Sequence, residues 1–215
     1  MRRALSEMAN DRIDAYQPCP CGSGKKYKFC CKEKEQLINQ EHPLTLVKKA
    51  AHYPVYECHI NECWQDDGLA TIFIVRQLPN LKYILGTYLV DTLCLGLKNT
   101  FCNANLPYSS IQAVLSQSNM KMVSIEYEDA RSIIFGGVEY ANGLGFDPNR
   151  DWEDSKHIVE AECSFNKKFE FGRDGKPFYI QGPDDNPFEV MSKLETAPNK
   201  QSKETNILKR LFGPK

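Results

Sequence analysis

Four of the nine cysteines in this chain of 215 residues lie in two close pairs within a single short stretch. Cys19 and Cys21 are separated from Cys30 and Cys31 by a Gly-Ser-Gly segment and a group of lysines. Two such pairs, folded back on each other, can place four thiolates around one zinc ion. Two disulfides or four buried, inert thiols are the alternative. The spacing favours a metal site, and four protein ligands would leave zinc no open position for hydrolytic chemistry.

The residues between the two cysteine pairs fit such a site. Gly22 and Gly24 permit a tight turn, and their amides, with that of Ser23, can point at the sulfurs of the first pair. A zinc ion bound by four thiolates carries a net charge of about −2. Five lysines lie where they would offset this charge: Lys25, Lys26, Lys28, Lys32 and Lys34.

The stretch Cys-Pro-Cys-Gly-Ser-Gly-Lys-Lys-Tyr-Lys-Phe-Cys-Cys, residues 19–31, resembles the SEC-C motif, which is named after the C-terminal tail of the translocation ATPase SecA. The resemblance implies a small structural zinc knuckle. It also implies that Cys19, Cys21 and Cys30 are ligands, with Cys31 at the fourth position, where the motif has Cys or His. In SecA this tail docks onto the chaperone SecB and onto ribosomes, so the resemblance implies a docking role. The remainder of the chain is not assigned to a family.

Composition indicates a globular protein, with 41% hydrophobic and 26% charged residues. We find no apolar run of the roughly 18 residues that a membrane span needs. The first residues turn polar before the apolar segment of a signal peptide develops, and the prediction is a cytoplasmic protein.

Charge is distributed unevenly around a net value of −1. Residues 1–52 carry ten basic and six acidic residues, residues 53–192 carry eleven and twenty, and residues 193–215 carry six and two. Basic ends therefore flank an acidic body. The ends are either solvated tails or a contact surface for RNA, a ribosome or an acidic protein.

Hydrophobic patterns predict an α+β fold with the knuckle attached to one main domain. Strands at 55–60, 69–78 and 82–91 form an antiparallel meander, and Asp174-Gly175 centres a C-terminal β-hairpin within 169–180. We expect helices at 111–117, capped by Ser109 or Ser110, and then at 124–145, 153–163 and 187–194. The predicted divisions are an N-terminal helix at 1–17, the knuckle at 18–36, a linker at 37–52, the α+β domain at 53–195 and a basic flexible tail at 196–215.

Glycines at 136 and 137 interrupt the longest predicted helix. Each costs about 1 kcal/mol relative to alanine in a helix interior. We expect another element to approach closely there, most simply a strand of the meander.

The other cysteines offer weaker candidates. Cys58, His59 and Cys63 invite a second metal site, but Cys58 and His59 would face opposite sides of a strand, which favours a buried core role. A nucleophilic cysteine needs a base, and sequence cannot place one of the four histidines beside Cys94 or Cys102. Cys94, Cys102 and Cys163 are interpreted as small apolar residues.

Carboxylates in the acidic body are the catalytic candidates. Asp91 ends a strand, Glu139 lies in the long helix, and Asp147 and Asp151 flank a Pro-Asn-Arg loop. A metal-dependent nuclease acting with Asp91, Glu139 and Asp147 is therefore the alternative function, with the knuckle as its targeting arm. In the competing interpretation, Asp91 caps a turn and Glu139 faces solvent.

The residues Lys25, Lys26, Tyr27 and Lys28 are the candidate partner-binding surface, because cations interleaved with an aromatic ring suit macromolecular contacts. Alternatively, Tyr27 and Phe29 cover the knuckle and the lysines balance the thiolates. We favour a zinc-binding adaptor that docks onto a partner, protein in preference to RNA, over an enzyme.

Overall fold

A five-stranded antiparallel sheet organises the fold. The structure, a computed structural model, describes residues 13–160 and 164–197. The strands are β1 Val55–Asn61, β2 Leu69–Gln77, β3 Tyr83–Asp91, β4 Gly96–Leu106 and β5 Met122–Ser124. They lie in the order β4-β3-β2-β1-β5, with antiparallel pairing throughout. The predicted meander and the α+β class are confirmed.

Helices follow the knuckle and cover the sheet. They are α1 Cys31–Gln40, α2 Pro43–Lys48, α3 Trp64–Asp67, α4 Tyr108–Gln117, α5 Tyr127–Gly143, α6 Trp152–Ser155 and α7 Pro187–Thr196. Short 3-10 turns lie at Tyr27–Phe29, Ala50–His52 and Lys156–Val159. The predicted serine cap of α4 is wrong, because the helix begins after Pro107 and no side chain caps it.

Both faces of the sheet are covered, which explains the continuous apolar run of β2. Alternate residues of a strand point to opposite faces. Ile72 and Ile74 belong to the larger core, which also contains residues of α2 and α5. Phe73 and Val75 belong to a second core with Ile111 of α4. A central strand enclosed on both sides has no polar face.

Helix α5 packs closely on the sheet at its glycine pair. A Cβ atom on Gly137 would lie 2.5 Å from Val90 Cγ1 of β3, and one on Gly136 would lie 2.4 Å from the Phe171 ring. The expected close approach of a meander strand is therefore confirmed, and an aromatic ring fills the neighbouring position.

The segment predicted as a linker, residues 37–52, is mostly helical and contributes to the larger core. Leu46, Val47 and Ala50 are no more than 1% exposed, and Ile38 of α1 is 7% exposed. Burial of this extent anchors the segment firmly to the sheet. The proposed division of the chain into domains stays a prediction.

The predicted C-terminal hairpin is reduced to a turn. Asp174 and Gly175 have φ angles of 54° and 71°, and a single antiparallel bridge joins Arg173 to Lys176. The flanking backbone bonds elsewhere, since the Gly172 and Phe178 amides donate to the carbonyl oxygens of Thr92 and Leu93. Contacts with the β3–β4 turn replace the expected strand pairing.

Several predictions concern residues outside those described, namely most of the N-terminal helix at 1–17, Cys163, and the tail beyond residue 197. The predicted helix at 153–163 is confirmed only as α6 and its following 3-10 turn. Within residues 13–160 and 164–197, no helix combines the length and the apolarity needed to cross a membrane.

Candidate metal centre and docking surface

The first cysteine pair lies at a tight backbone turn. The Cys19 amide donates to the Lys25 carbonyl oxygen at 2.7 Å, and the Tyr27 amide donates to the Gln17 carbonyl oxygen at 2.8 Å. In the turn that these hydrogen bonds close, Gly22 and Gly24 have φ angles of 78° and 71°. This left-handed conformation strains residues that carry a Cβ atom, so the two glycines allow the chain to turn back within a few residues.

The second pair lies where the chain enters α1. A 3-10 turn closes with the Cys30 amide donating to the Tyr27 carbonyl oxygen at 3.1 Å. Cys30 is the N-cap residue of α1 and Cys31 is its first residue. The positive end of a helix dipole stabilises negative charge, so this position favours thiolates.

The four cysteine sulfurs converge on one point. All four lie within 4.8 Å of one another, and the sulfurs of Cys21 and Cys30 are 3.5 Å apart. Zn–S bonds of about 2.3 Å in a tetrahedron put sulfurs about 3.8 Å apart, so the spacing fits a metal ion bound by four thiolates. Cys19 and Cys31 are buried, at 4% exposure each, whereas Cys21 is exposed.

Hydrogen bonds lower the pKa of one thiol in this cluster, and burial raises the pKa of another. Hydrogen bonds from the Ser23 side chain first, and then from Cys19 and the Ser23 backbone, lower the pKa of Cys21 to about 6. Burial raises the pKa of Cys31 well above its usual value, and its neighbouring thiols add to this effect. A Ser23 amide directed at the Cys21 sulfur agrees with the role expected for the turn amides.

The predicted partner-binding residues divide into two groups. Lys25 and Lys26 are exposed and Lys28 is half-buried, whereas the Tyr27 hydroxyl donates to the Glu35 carboxylate of α1. Burial and this bond raise the pKa of Tyr27. Tyr27 therefore ties the knuckle to α1. Phe29 is 67% exposed, so the interpretation that it covers the knuckle is wrong.

Comparison with known proteins supports this site. The sequence model of the SEC-C motif matches residues 17–33. The protein translocase subunit SecA of Dichelobacter nodosus (strain VCS1703A) is 56% identical over 27 residues, which are 13% of this chain and 3% of that protein. The chain thus carries a SEC-C motif, while spanning a very small part of the relative's length. No solved structure matches the chain.

The remaining cysteines form no second metal site in the part of the chain that the structure describes. Cys58 is buried and Cys63 is exposed, and burial raises the pKa of Cys58 to about 12. Burial likewise raises the pKa of Cys94 to about 12 and raises that of Cys102. Protonated thiols are poor nucleophiles, which agrees with their interpretation as apolar core residues.

The structure does not bring the three candidate catalytic acids together. Glu139 lies in a groove of about 930 Å³ beside α5, and Asp147 lies in a separate cleft of about 280 Å³ with Asp185 and Lys98. Asp91 lines neither, since its Oδ1 accepts hydrogen bonds from the Leu93 and Cys94 amides at 2.8 and 3.0 Å. Glu139 is paired with Lys167 at the surface. Asp91 therefore caps a turn. The three acids do not form the shared metal site that the nuclease hypothesis requires.

Sequence reasoning missed two residues of the knuckle surface. Tyr16 precedes the motif and is 63% exposed, with the Lys28 ammonium 3.9 Å from its ring centroid. Glu35 bonds to Tyr27 from one turn into α1. The two contacts join residues twelve and eight positions apart across irregular turns, and such spacings carry no periodic signal, so neither contact was readable from the sequence.

Proposed function

We propose that this protein is a zinc-binding adaptor whose SEC-C knuckle docks onto a protein partner. Cys19, Cys21, Cys30 and Cys31 would hold one structural zinc ion. The observation that carries the proposal is the approach of all four sulfurs to within 4.8 Å of one another. A zinc ion in this site would supply a crosslink between the Gly-Ser-Gly turn and the start of α1, without an open coordination position.

The chain's own residues prepare this site. The positive φ angles of Gly22 and Gly24 set the first pair, and the start of α1 sets the second. Lys25 and Lys26 remain exposed at the side of the turn, where they would offset the charge of the metal centre and face a partner. A structural metal and an exposed basic rim are features of a recognition module rather than of a hydrolytic site.

Two observations support the wider role. The relative found by sequence is named a protein translocase subunit, which favours a protein over RNA as partner. The proposal places the protein in the cytoplasm, where thiols stay reduced. The eight cysteines that the structure describes are all free.

Metal content tests the first half of the proposal. Purified protein should contain one equivalent of zinc, and cobalt substitution should give the intense thiolate charge-transfer bands of a tetrahedral site. Cys21→Ser and Cys30→Ser should lose the metal. Cys63→Ser is the matched control, because Cys63 is also exposed but lies outside the cluster.

Partner recovery tests the second half. Tagged wild-type protein and a Cys19→Ser, Cys21→Ser double variant would be used to capture partners from the same cells, with Cys63→Ser as control. A protein recovered by the wild type and the control but not by the double variant is the expected result. Equal recovery by a variant shown to lack zinc would refute the docking role of the knuckle.

A further inference from the structure

Two exposed aromatic rings flank a lysine on one side of the knuckle. The Lys28 ammonium lies 3.9 Å from the Tyr16 ring centroid and 4.4 Å from that of Phe29. Lys26 lies 5.7 Å from the same Tyr16 ring. Tyr16 and Phe29 are 63% and 67% exposed. We call Tyr16, Lys26, Lys28 and Phe29 the aromatic–lysine clamp.

Hydrogen bonds donated by backbone amides hold the clamp in place. The Lys28 amide donates to the Ala15 carbonyl oxygen at 2.9 Å, which fixes the segment before the motif against the segment after the turn. The Tyr16 amide donates to Asp14 Oδ1 at 2.8 Å. The Phe29 amide donates to the Lys26 carbonyl oxygen at 3.0 Å within the 3-10 turn. A surface ordered before binding loses less entropy when a partner binds.

The composition of the clamp matches an acidic partner with an apolar side chain. Lysine ammonium groups attract carboxylates, and two exposed rings offer apolar area of the kind enriched in protein interfaces. Residues 17–33 carry four lysines against one glutamate, a net charge of +3, which exceeds the charge of about −2 on a four-thiolate zinc site. The local surface thus stays positive when a metal is bound.

The same geometry disfavours single-stranded nucleic acid. Bases bind such surfaces by stacking on open aromatic faces. Here the Lys28 ammonium already covers one face of Tyr16 and one face of Phe29. A base that stacked between the rings would have to displace the cation, whereas a carboxylate can pair with the cation where it lies.

We propose that the aromatic–lysine clamp binds an acidic segment of a partner protein, with carboxylates paired to Lys26 and Lys28 and an apolar side chain packed on Tyr16 and Phe29. This inference rests on the proposed docking function. It extends the docking surface to Tyr16, which lies outside the matched residues 17–33.

Three labelled probes test the clamp on the whole chain of 215 residues. The first is a short peptide that repeats Glu-Glu-Phe, the second repeats Glu-Glu-Ser at the same length and charge, and the third is an oligouridylate with a matched number of charges. Fluorescence anisotropy should give the order Glu-Glu-Phe tighter than Glu-Glu-Ser and tighter than the oligouridylate. Tighter binding of the oligouridylate would overturn the proposal in favour of nucleic acid.

Variants then locate the binding surface. Lys28→Ala should weaken binding of the Glu-Glu-Phe peptide by about three- to tenfold, since it removes both a charge and two ring contacts. Lys34→Ala removes the same charge from exposed α1 surface and should change binding by less than about twofold. Tyr16→Ala and Phe29→Ala should weaken Glu-Glu-Phe but not Glu-Glu-Ser. Equal effects of Lys28→Ala and Lys34→Ala would refute the clamp.

Metal content of each variant separates this inference from the proposed function. Clamp variants that keep their zinc and lose the peptide support the clamp. If zinc-bound wild-type protein captures a cellular partner equally well with and without the Lys28→Ala and Phe29→Ala changes, the docking function stands and the clamp fails. If capture also survives loss of the metal ligands, the docking function fails as well.

Discussion

Asp91 shows how a carboxylate at the end of a strand can serve the fold. Its side chain is buried, and one oxygen accepts two backbone amides of the β3–β4 turn. Buried amides without acceptors cost free energy, so a fixed acceptor at this position stabilises the turn. The same residue type at a strand end is also the mark of many metal-dependent catalytic sites, which is why sequence alone left both interpretations open.

We predict that Asp91→Ala lowers the free energy of unfolding by about 1–3 kcal/mol, because the buried Cys94 amide and the partly buried Leu93 amide lose their acceptor. Asp91→Asn keeps an acceptor oxygen and should cost less than about 1 kcal/mol. Glu139→Gln, at an exposed position, is the control and should stay within about 0.5 kcal/mol of wild type. Urea titration measures all three. Equal stability of the Ala and Asn variants would contradict the turn-capping role.

The pH dependence of the Asp91 variants has a definite sign. Burial raises the pKa of Asp91 above its ordinary value of 3.8, although the amides of the turn oppose this effect. The folded state then holds a proton that the unfolded state has released, so the Asp91 contribution to stability falls as pH rises from 3.8 through the raised pKa. Wild type should lose stability relative to Asp91→Asn over that interval, in urea titrations at stepped pH.

The knuckle thiols differ in accessibility, and oxidation should reveal the difference. We predict that hydrogen peroxide joins Cys21 to Cys30 first, because their sulfurs are 3.5 Å apart while Cys19 and Cys31 are buried. Two electrons pass from the sulfurs to peroxide, which leaves as water, and a disulfide of about 2 Å forms. Peptide mapping identifies the pair, and a metal-sensitive dye follows the release of any bound metal. Cys58 and Cys94, both buried, should stay reduced, and a Cys19–Cys31 bridge forming first would contradict the prediction.

At the scale of elements, α5 depends on the absence of side chains at its contact with β3. We predict that Gly137→Ala destabilises the protein by about 1–3 kcal/mol through overpacking against Val90, despite the better helix propensity of alanine. Gly143→Ala is the matched control in the same helix, since its Cβ would meet nothing within 4 Å. The control should gain up to about 1 kcal/mol. Thermal unfolding measures the stability of both variants. If both substitutions stabilise the protein, β3 shifts to accommodate the added methyl group and the prediction is wrong.

Hydrophobic periodicity along the chain predicted the strands and helices in which apolar side chains recur at a regular spacing. Strands β1 to β3 and helices α4, α5 and α7 lie close to their predicted bounds. Strand β4 was not predicted as a separate strand, because its polar, asparagine-rich sequence lies at the edge of the sheet and lacks alternation. The Asp174-Gly175 turn was predicted, but the pairing around it was not. Long-range contacts of Gly172 and Phe178 with the β3–β4 turn decided that outcome.

At the scale of the whole molecule, the candidate metal site was predictable and its attachment to the body was not. Close cysteine pairs define a site through spacing along the chain, which the sequence displays directly. The packing of α2 depends on a sheet assembled from distant residues. Leu46 and Val47 therefore looked like part of a linker, although they lie in the core. A fragment that begins at Tyr53 would lack both residues and expose that core.

Metal removal should affect the body as well as the knuckle. Cys31 is the first residue of α1, and Ile38 of the same helix lies in the larger core. Chelation would free the first turn of α1, and we predict a fall of a few degrees in Tm, since each kcal/mol corresponds to about 2–4 °C for a protein of this size. Ile38→Ala should show a smaller fall on chelation. An unchanged Tm after complete metal loss would mean that the knuckle unfolds independently.

Helix α1 also fixes the direction in which the knuckle faces. Seven residues at about 1.5 Å each separate Cys31 from Ile38, a distance of about 10 Å along a rigid rod. Asn39, at the far end of that rod, accepts hydrogen bonds from Lys82 and Asn105 of the body at 3.2 Å each. A partner captured by the knuckle would therefore meet one side of the acidic body at a fixed distance and in a fixed orientation.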